Sequence, residues 1–497
     1  MSNAPERGKA EAIVREQTGE VDLLSKILEE GRMVQHAGQA QGARDMIAEF
    51  VQQAMQGQMV MSRNLETSLQ ARIAEIDRLL SAQLNEIMHA EPYQRLEASW
   101  RGLHHLVFES ETGTMLKIRV LNVSKKDLLK DLERAAEFDQ SAVFKKVYEE
   151  EYGTFGGQPF GALIGDYYFS NHPQDQLLLE KMAQVAAAAN APFIAAPAPQ
   201  LFGWESFQEM TEVRDLAKIF DRTEYAKWRS FRDSEDSRYV GMAMPRTLMR
   251  LPYGKETVPT ETFNFEEDVD GKDHNKYLWG NAAYSFGTRL TEAFALYGWC
   301  VAIRGVEGGG LVQGLPVHTF QTDEGDVALK CPTEIAITDR REKELSDLGF
   351  LPLVHCKNTD YAAFFGGQSC QKAKKYDTDS ANSNARLSTM LPHIFAVSRF
   401  AHYLKAMMRD KVGSFMTRKD CEYFLNQWIA GYITTDDTAS QATRAQYPLR
   451  EAKIEVAEIP GKPGAYRAVA FLRPHFQLDE LQVSLRLVAD LPSSARK

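Results

Sequence analysis

A mixed α/β protein, of α/β or α+β type, is expected from three features of this 497-residue sequence. Leucines and isoleucines step by fours and threes from Leu65 to Ile87, the spacing of an amphipathic helix. Between Ser99 and Lys255, helical patterns mix with short strand-like runs cut by Gly and Pro. Near the carboxyl end two apolar runs flank Pro460-Gly461-Lys462-Pro463-Gly464, a hairpin signature, and a period-two stretch follows.

The first forty or so residues are polar, except around Glu20 to Met33, where Val21, Leu24 and Leu28 recur at helical spacing beside Leu23 and Ile27. This short amphipathic helix has weak flanks, so it either docks on its own domain or offers its stripe to a partner. The next helix carries Leu65, Leu69, Ile73, Ile76, Leu80, Leu84 and Ile87 and is expected to end at Pro92. Its seam suits core packing or a helix of another subunit, and the spacing fits both. Strands are expected at Leu116 to Val123 and Phe160 to Tyr168. Glu256 to His274 reads as an acidic, turn-rich segment, Thr288 to Trp299 as a helix, and Val301 to Leu315 as a glycine-interrupted loop. After a loop around Lys372 to Asn384 come helices at Leu391 to Arg409 and Lys419 to Ile433, then hairpin strands at Ile454 to Ile459 and Tyr466 to Leu472.

The last stretch places Leu481, Val483, Leu485 and Leu487 on one face and Gln482, Ser484 and Arg486 on the other. A strand at a chain end pairs equally well with the chain's own Tyr466 to Leu472 or with a neighbouring protomer's sheet edge. Burial of its apolar face stabilises either arrangement by the same amount, so energetics leave the choice open.

With 44% hydrophobic and 25% charged residues, the chain reads as an ordinary water-soluble protein with a sizeable core. Its net charge of -10 argues against a nucleic-acid partner, and the short cluster Lys372, Lys374 and Lys375 reads as a solvated loop. Cys300, Cys331, Cys356, Cys370 and Cys421 show no metal-ligand or paired spacing and fit reduced thiols in the cytoplasm. The amino terminus lacks the apolar run of a secretory signal, and the Ala-rich Val185 to Pro199, broken by Asn190, Pro192 and Pro197, falls short of a bilayer span.

No catalytic or cofactor constellation emerges. Gly305 to Gly314 lacks the spacing of a phosphate-binding loop and reads as structural. The adjacent His104 and His105 diverge on a helix, and Asp339-Arg340-Arg341-Glu342-Lys343-Glu344 reads as ion pairs, not an acid–base dyad. Metalloprotease and serine-hydrolase signatures are absent, so the expectation is a non-enzyme with no cofactor and no metal.

Several blocks resemble the large subunit of the bacterial type VI secretion contractile sheath, the TssC/VipB/EvpB family. They include Leu163-Ile164-Gly165-Asp166-Tyr167, Ala191-Pro192-Phe193-Ile194-Ala195-Ala196 and Asp233-Ser234-Glu235-Asp236-Ser237-Arg238-Tyr239-Val240-Gly241. Others are Tyr277-Leu278-Trp279-Gly280-Asn281, Ile303-Arg304-Gly305-Val306-Glu307-Gly308-Gly309-Gly310, Ser398-Arg399-Phe400-Ala401-His402-Tyr403-Leu404-Lys405 and Pro474-His475-Phe476-Gln477. The resemblance runs collinearly from about Leu23 to Pro492.

It implies a structural protein that pairs with a small sheath subunit (TssB/VipA-like) and with copies of itself in a helical tube. That tube would grow from a baseplate, enclose an inner tube protein (Hcp-like), contract to propel it, and be disassembled by an AAA+ ATPase (ClpV-like). It further implies a helical amino-terminal arm (1–92), a central mixed α/β region (93–385) and a carboxy-terminal sheath core (386–497) with an exchanged terminal strand. Leu481, Val483, Leu485 and Leu487 would form that strand, and Leu23, Leu24, Ile27 and Leu28 the stripe met by the ATPase. Arg399, Lys405, Arg409 and Lys411 would face the inner tube. A sheath of a phage-tail-like particle is the alternative, and would lack the ATPase handle.

Overall fold

A computed structural model describes residues 37–55, 65–261, 263–322, 324–412, 414, 416–436, 438–458 and 466–475. Among these, residues up to Glu86 together with 253–268 form one unit, and the remaining described residues form a second. The first unit contains α1 (Ala40–Met55) and most of α2 (Leu65–Met88), a run of good helix formers free of Gly and Pro. The acidic segment lies along α2: Asn85 donates to the Glu266 carbonyl (3.2 Å) and accepts from the Asp268 amide (3.1 Å).

In the second unit, α3 (Glu91–Phe108) starts where the long helix was expected to stop. Pro92 sits in its first turn, where a missing N–H costs nothing, so this proline opens a helix and does not terminate one. Residues 116–123, expected as a strand, pair with no described strand. Val120 and Leu121 are exposed there, while Val123 packs against the first core, so the stretch touches the core without joining a described strand. Next come α4 (Lys125–Arg134), capped by Ser124, and β1 (Leu163–Phe169), close to its expected place. The Ala-rich stretch resolves into the end of α5 (Pro173–Ala189), a turn at Asn190 with φ 53°, and β2 (Phe193–Pro197).

The chain continues through β3 (Val240–Met244), α6 (Ala282–Tyr297), β4 (Leu311–Val312), β5 (Leu351–His355) and β6 (Ala362–Phe364). The strands form one sheet in the order β1-β2-β3-β5-β6-β4, with the first four parallel and the last two joining antiparallel. Alternate side chains feed two cores: Phe193, Ala195, Val240 and Met242 face the aromatic cluster of Phe202, Phe220, Trp228 and Phe350, while Ile194, Ala243 and Leu351 face α6. Close packing sets the residue choice on that second face. A Cβ on Gly287 would lie 2.5 Å from Ile164 Cδ1, and one on Gly102 of α3 would lie 2.3 Å from the Tyr284 ring.

A helix, α7 (Asp379–Ser388), occupies part of the expected 372–384 loop and is capped by Thr378. Then α8 (Leu391–Asp410) packs Leu391, Ile394 and Phe395 into the sheet core, and Phe400 and its later turns into a third cluster with Trp299, Leu425 and Ile454. Its successor α9 (Arg418–Ala430) begins at a reciprocal Thr417/Asp420 cap. The hairpin of β7 (Leu449–Glu458) and β8 (Tyr466–Pro474) lies on that cluster, Ile454 opposite Ala470. No helix among the described residues is long and apolar enough to cross a membrane.

Candidate functional site at the carboxy-terminal hairpin

The hairpin is two-faced. Leu449, Ile454 and Val456 are buried beneath it, with Tyr466, Ala468, Ala470 and Leu472 packed alongside. Its other face shows Lys453 paired to Glu455 (2.7 Å), Arg473 paired to Glu451 (3.5 Å), and two exposed apolar residues, Val469 and Phe471.

Its two edges differ more than its faces. On the β7 side, the Asn426 side chain of α9 stands in for a strand: its Oδ1 accepts from the Ile454 amide (2.9 Å) and its Nδ2 donates to the Ile454 carbonyl (2.7 Å). Glu422 accepts from the Val456 amide (3.3 Å), and residues 432–434 bond to both backbone groups of Leu449. Since the Ile454 and Val456 amides point to α9, the ladder to β8 is made by the intervening residues. On β8, the backbone groups of Ala468, Ala470 and Leu472 therefore point away from β7, and no described strand pairs with them. The hairpin has one plugged edge and one edge without a described strand, and a row of outward N–H and C=O groups is a template for strand addition.

The four cations expected at the inner tube lie on or just after α8 and have partners within the chain. Arg399 stacks over Tyr403 (4.9 Å) and Lys411 over Phe424 (4.6 Å). Lys405 lies over the rings of Tyr148 (4.6 Å) and Tyr152 (3.6 Å) and donates to the Tyr148 hydroxyl (3.2 Å). Arg409 donates to the carbonyls of Tyr152 (2.7 Å) and Thr154 (2.6 Å). Lys405 and Arg409 thus tie α8 to a π-helical turn, Lys145–Tyr152, whose last carbonyls need donors. On the same helix His402 Nε2 donates to the Ala189 carbonyl (2.9 Å), and burial pushes its imidazole down to about 4. No spacing rule links residues some 250 positions apart, so this junction was illegible in the sequence.

The remaining expected contacts divide in two. Leu481, Val483, Leu485 and Leu487, and likewise Leu23, Leu24, Ile27 and Leu28, lie outside the described residues. The seam of α2 is described, and it is not used up as core: Leu69, Ile73, Ile76 and Leu80 are 40%, 56%, 42% and 45% exposed. Elsewhere, the Asp339–Asp347 helix forms the expected ion pairs, with Arg340 and Arg341 both meeting Glu344 (2.9 and 2.6 Å). Gly305 to Gly310 folds as a tight turn in which a Cβ on Gly309 would lie 2.2 Å from the Ala302 carbonyl oxygen.

Two family models match this chain. One, described as the EvpB/VC_A0108 tail sheath N-terminal domain, covers residues 70–371, and the other, the tail sheath gpW/gp25-like domain, covers 380–491. A curated relative, the type VI secretion system sheath protein TssC1 of Pseudomonas aeruginosa, is 53% identical over 448 residues, 90% of each chain. Among solved structures, the baseplate of the anti-feeding prophage aligns at 9% identity and TM-score 0.34 over 64% of this chain and 66% of that one. The contracted sheath complex of an extracellular contractile injection system, PVC, aligns at 9% identity and TM-score 0.33 over 63% and 68%. Likenesses of that size add nothing to the assignment.

Proposed function

This chain belongs to the EvpB/VC_A0108 tail-sheath family, and we propose that it is the large subunit of a type VI secretion contractile sheath. It acts mechanically, without catalysis of its own, in the cytoplasm. It pairs with a small sheath subunit, polymerises from a baseplate around an inner tube and contracts to propel it. The single observation that carries this reading is the hairpin with one plugged edge and one edge without a described strand, immediately before a tail whose sequence alternates as a strand.

In this reading Leu481, Val483, Leu485 and Leu487 cross to the β8 edge of a neighbouring protomer. The exposed seam of α2 takes a helix of the small subunit, which would bury apolar side chains left about half in water. Leu23, Leu24, Ile27 and Leu28 form the grip for an AAA+ ATPase. Arg399, Lys405, Arg409 and Lys411 meet the inner tube with the charge they retain beyond their internal partners. The gap between matched segments, at 371–380, supports a boundary near residue 385 between central body and carboxy-terminal core.

Ala470→Pro tests the exchange. Its amide points off the edge, so proline removes an outward donor and leaves the β7 ladder intact. With the small subunit co-expressed, this variant and the double variant Val483→Asp, Leu485→Asp both stay soluble and form no tubes by electron microscopy. A chain truncated after residue 475 captures the Ala470→Pro chain, because one supplies the edge and the other the tail. Normal tubes from both variants, or no capture, refute strand exchange.

A further inference from the structure

We propose that the cleft where α3 and α6 end is a socket for Lys372 and Lys375 of a second copy of this chain, so that copies join head to tail through it. The inference rests on the reading of the chain as a subunit that polymerises. The two helices lie side by side and run the same way: Gly102 packs on the Tyr284 ring, Leu106 packs on Gly287, and just past α3 the Ser110 and Thr291 hydroxyls lie 2.8 Å apart. Their carboxyl ends therefore open on one place. Each end carries the partial negative charge of its last carbonyls, which a Lys or Arg in the last turn commonly offsets, and neither helix has one there.

Carboxylates collect at these ends instead. Glu109 and Glu111 follow α3, and Glu307 comes from the glycine turn, around an open cleft of about 430 Å³. All three are exposed, and none makes an ion pair or side-chain hydrogen bond among the described residues. Arg289, also in the cleft, is already bonded to Glu292 and to the Leu311 carbonyl. Two helix ends and three carboxylates without a paired cation make the cleft a place for incoming positive charge. Exposed Leu296 and Val306 in its lining suit the aliphatic stem of a lysine.

The same chain carries the matching cations. Lys372-Ala373-Lys374-Lys375 holds three exposed lysines in four residues, with no carboxylate among them. Lys374 is paired to Glu235 (2.6 Å), while Lys372 and Lys375 have no side-chain partner among the described residues. Asp377 and Asp379 lie beyond Tyr376, outside the lysine run. The segment is held at both ends. The Lys372 amide donates to the Arg232 carbonyl (2.9 Å), and Asn382 clasps Tyr376, accepting from its amide (2.6 Å) and donating to its carbonyl (3.0 Å). A segment ordered beforehand loses little freedom on docking.

The cleft and the lysine run are different patches, and neither is complementary to itself. A contact between them is heterologous: each copy offers its lysines to one neighbour and its cleft to another, which builds a helical array unless the rotation closes a ring. Opposite charges also fix the register and reject like-charged approach.

The test mixes light and heavy isotope-labelled chains, each with its small subunit, lets them assemble, and adds a water-soluble carbodiimide, which joins a lysine to a carboxylate it touches. Peptide mass spectrometry is expected to find Lys372 or Lys375 joined to Glu109, Glu111 or Glu307 in mixed-isotope peptides. Tubes without such links, links within one isotope only, or links of these carboxylates to other lysines alone overturn the proposal. Charge reversal checks it independently. Lys372→Glu with Lys375→Glu, or Glu109→Lys with Glu307→Lys, raises the chain concentration at half assembly about tenfold, and a chain with all four changes returns to within about twofold of the parent. Normal assembly of both double variants, or no recovery with all four changes, overturns the socket and leaves the sheath reading intact. Should the parent form no tubes, the sheath reading fails by itself, and the mixed-isotope links, read on the concentrated subunit pair, support the socket if present and overturn it if absent.

Discussion

Asn426→Ala removes the side chain that plugs the β7 edge. It leaves the Ile454 amide and carbonyl, which now bond at 2.9 and 2.7 Å, without partners under a side chain that is fully buried. A buried backbone group stripped of its bond costs roughly 1–3 kcal/mol, so the pair costs about 2–6 kcal/mol, towards the lower end where water reaches in. Asn426→Asp keeps the acceptor for the amide and loses the donor to the carbonyl, so it costs less. The assay is hydrogen exchange of the 449–458 peptide in the native subunit pair. A loss of about 2 kcal/mol in local stability speeds exchange roughly thirtyfold. Protection in both variants equal to that of the parent would refute the claim that a side chain holds this edge.

Three further outcomes are expected. Gly102→Ala brings a Cβ to 2.3 Å from the Tyr284 ring and lowers subunit stability by about 1–3 kcal/mol in a denaturant titration, and Tyr284→Leu in the same chain recovers part of it. Burial holds His393 and His402 down to about 4 from 6.5, so the unfolded chain binds the extra protons; their stabilising effect is complete above pH 6.5 and fades as pH falls towards 4. By pH 5 the loss is about 2 kcal/mol per histidine, seen as a lower denaturation midpoint, and His402→Gln flattens that slope. Deleting Glu20 to Met33 spares tube formation and contraction while blocking disassembly by the ATPase, as followed by electron microscopy.

What the sequence revealed depended on whether a pattern was local. The helices at Leu391–Asp410 and Arg418–Ala430 and the hairpin were legible because apolar spacing and a Pro-Gly turn are written within a dozen residues. Strand β2 was missed because it is buried on both faces, so Phe193 to Pro197 is a continuous apolar run with no alternation. Residues 116–123 show the reverse error, an alternating run that pairs with no described strand although Val123 reaches the core. At the hairpin, the outward face could be read from Val469 and Phe471, but the plugged edge could not. It depends on an asparagine 28 positions earlier being brought alongside Ile454 by the turn after α9.

Helix α8 has its first turns in the core of the six-stranded sheet and its last turns under the hairpin, without a break over twenty residues. At 1.5 Å per residue it is a stiff strut about 30 Å long. Tension applied at the hairpin therefore has no slack linker in which to dissipate. It is carried along the helix into the sheet core, with Lys405 and Arg409 holding its last turns to the π-helical turn.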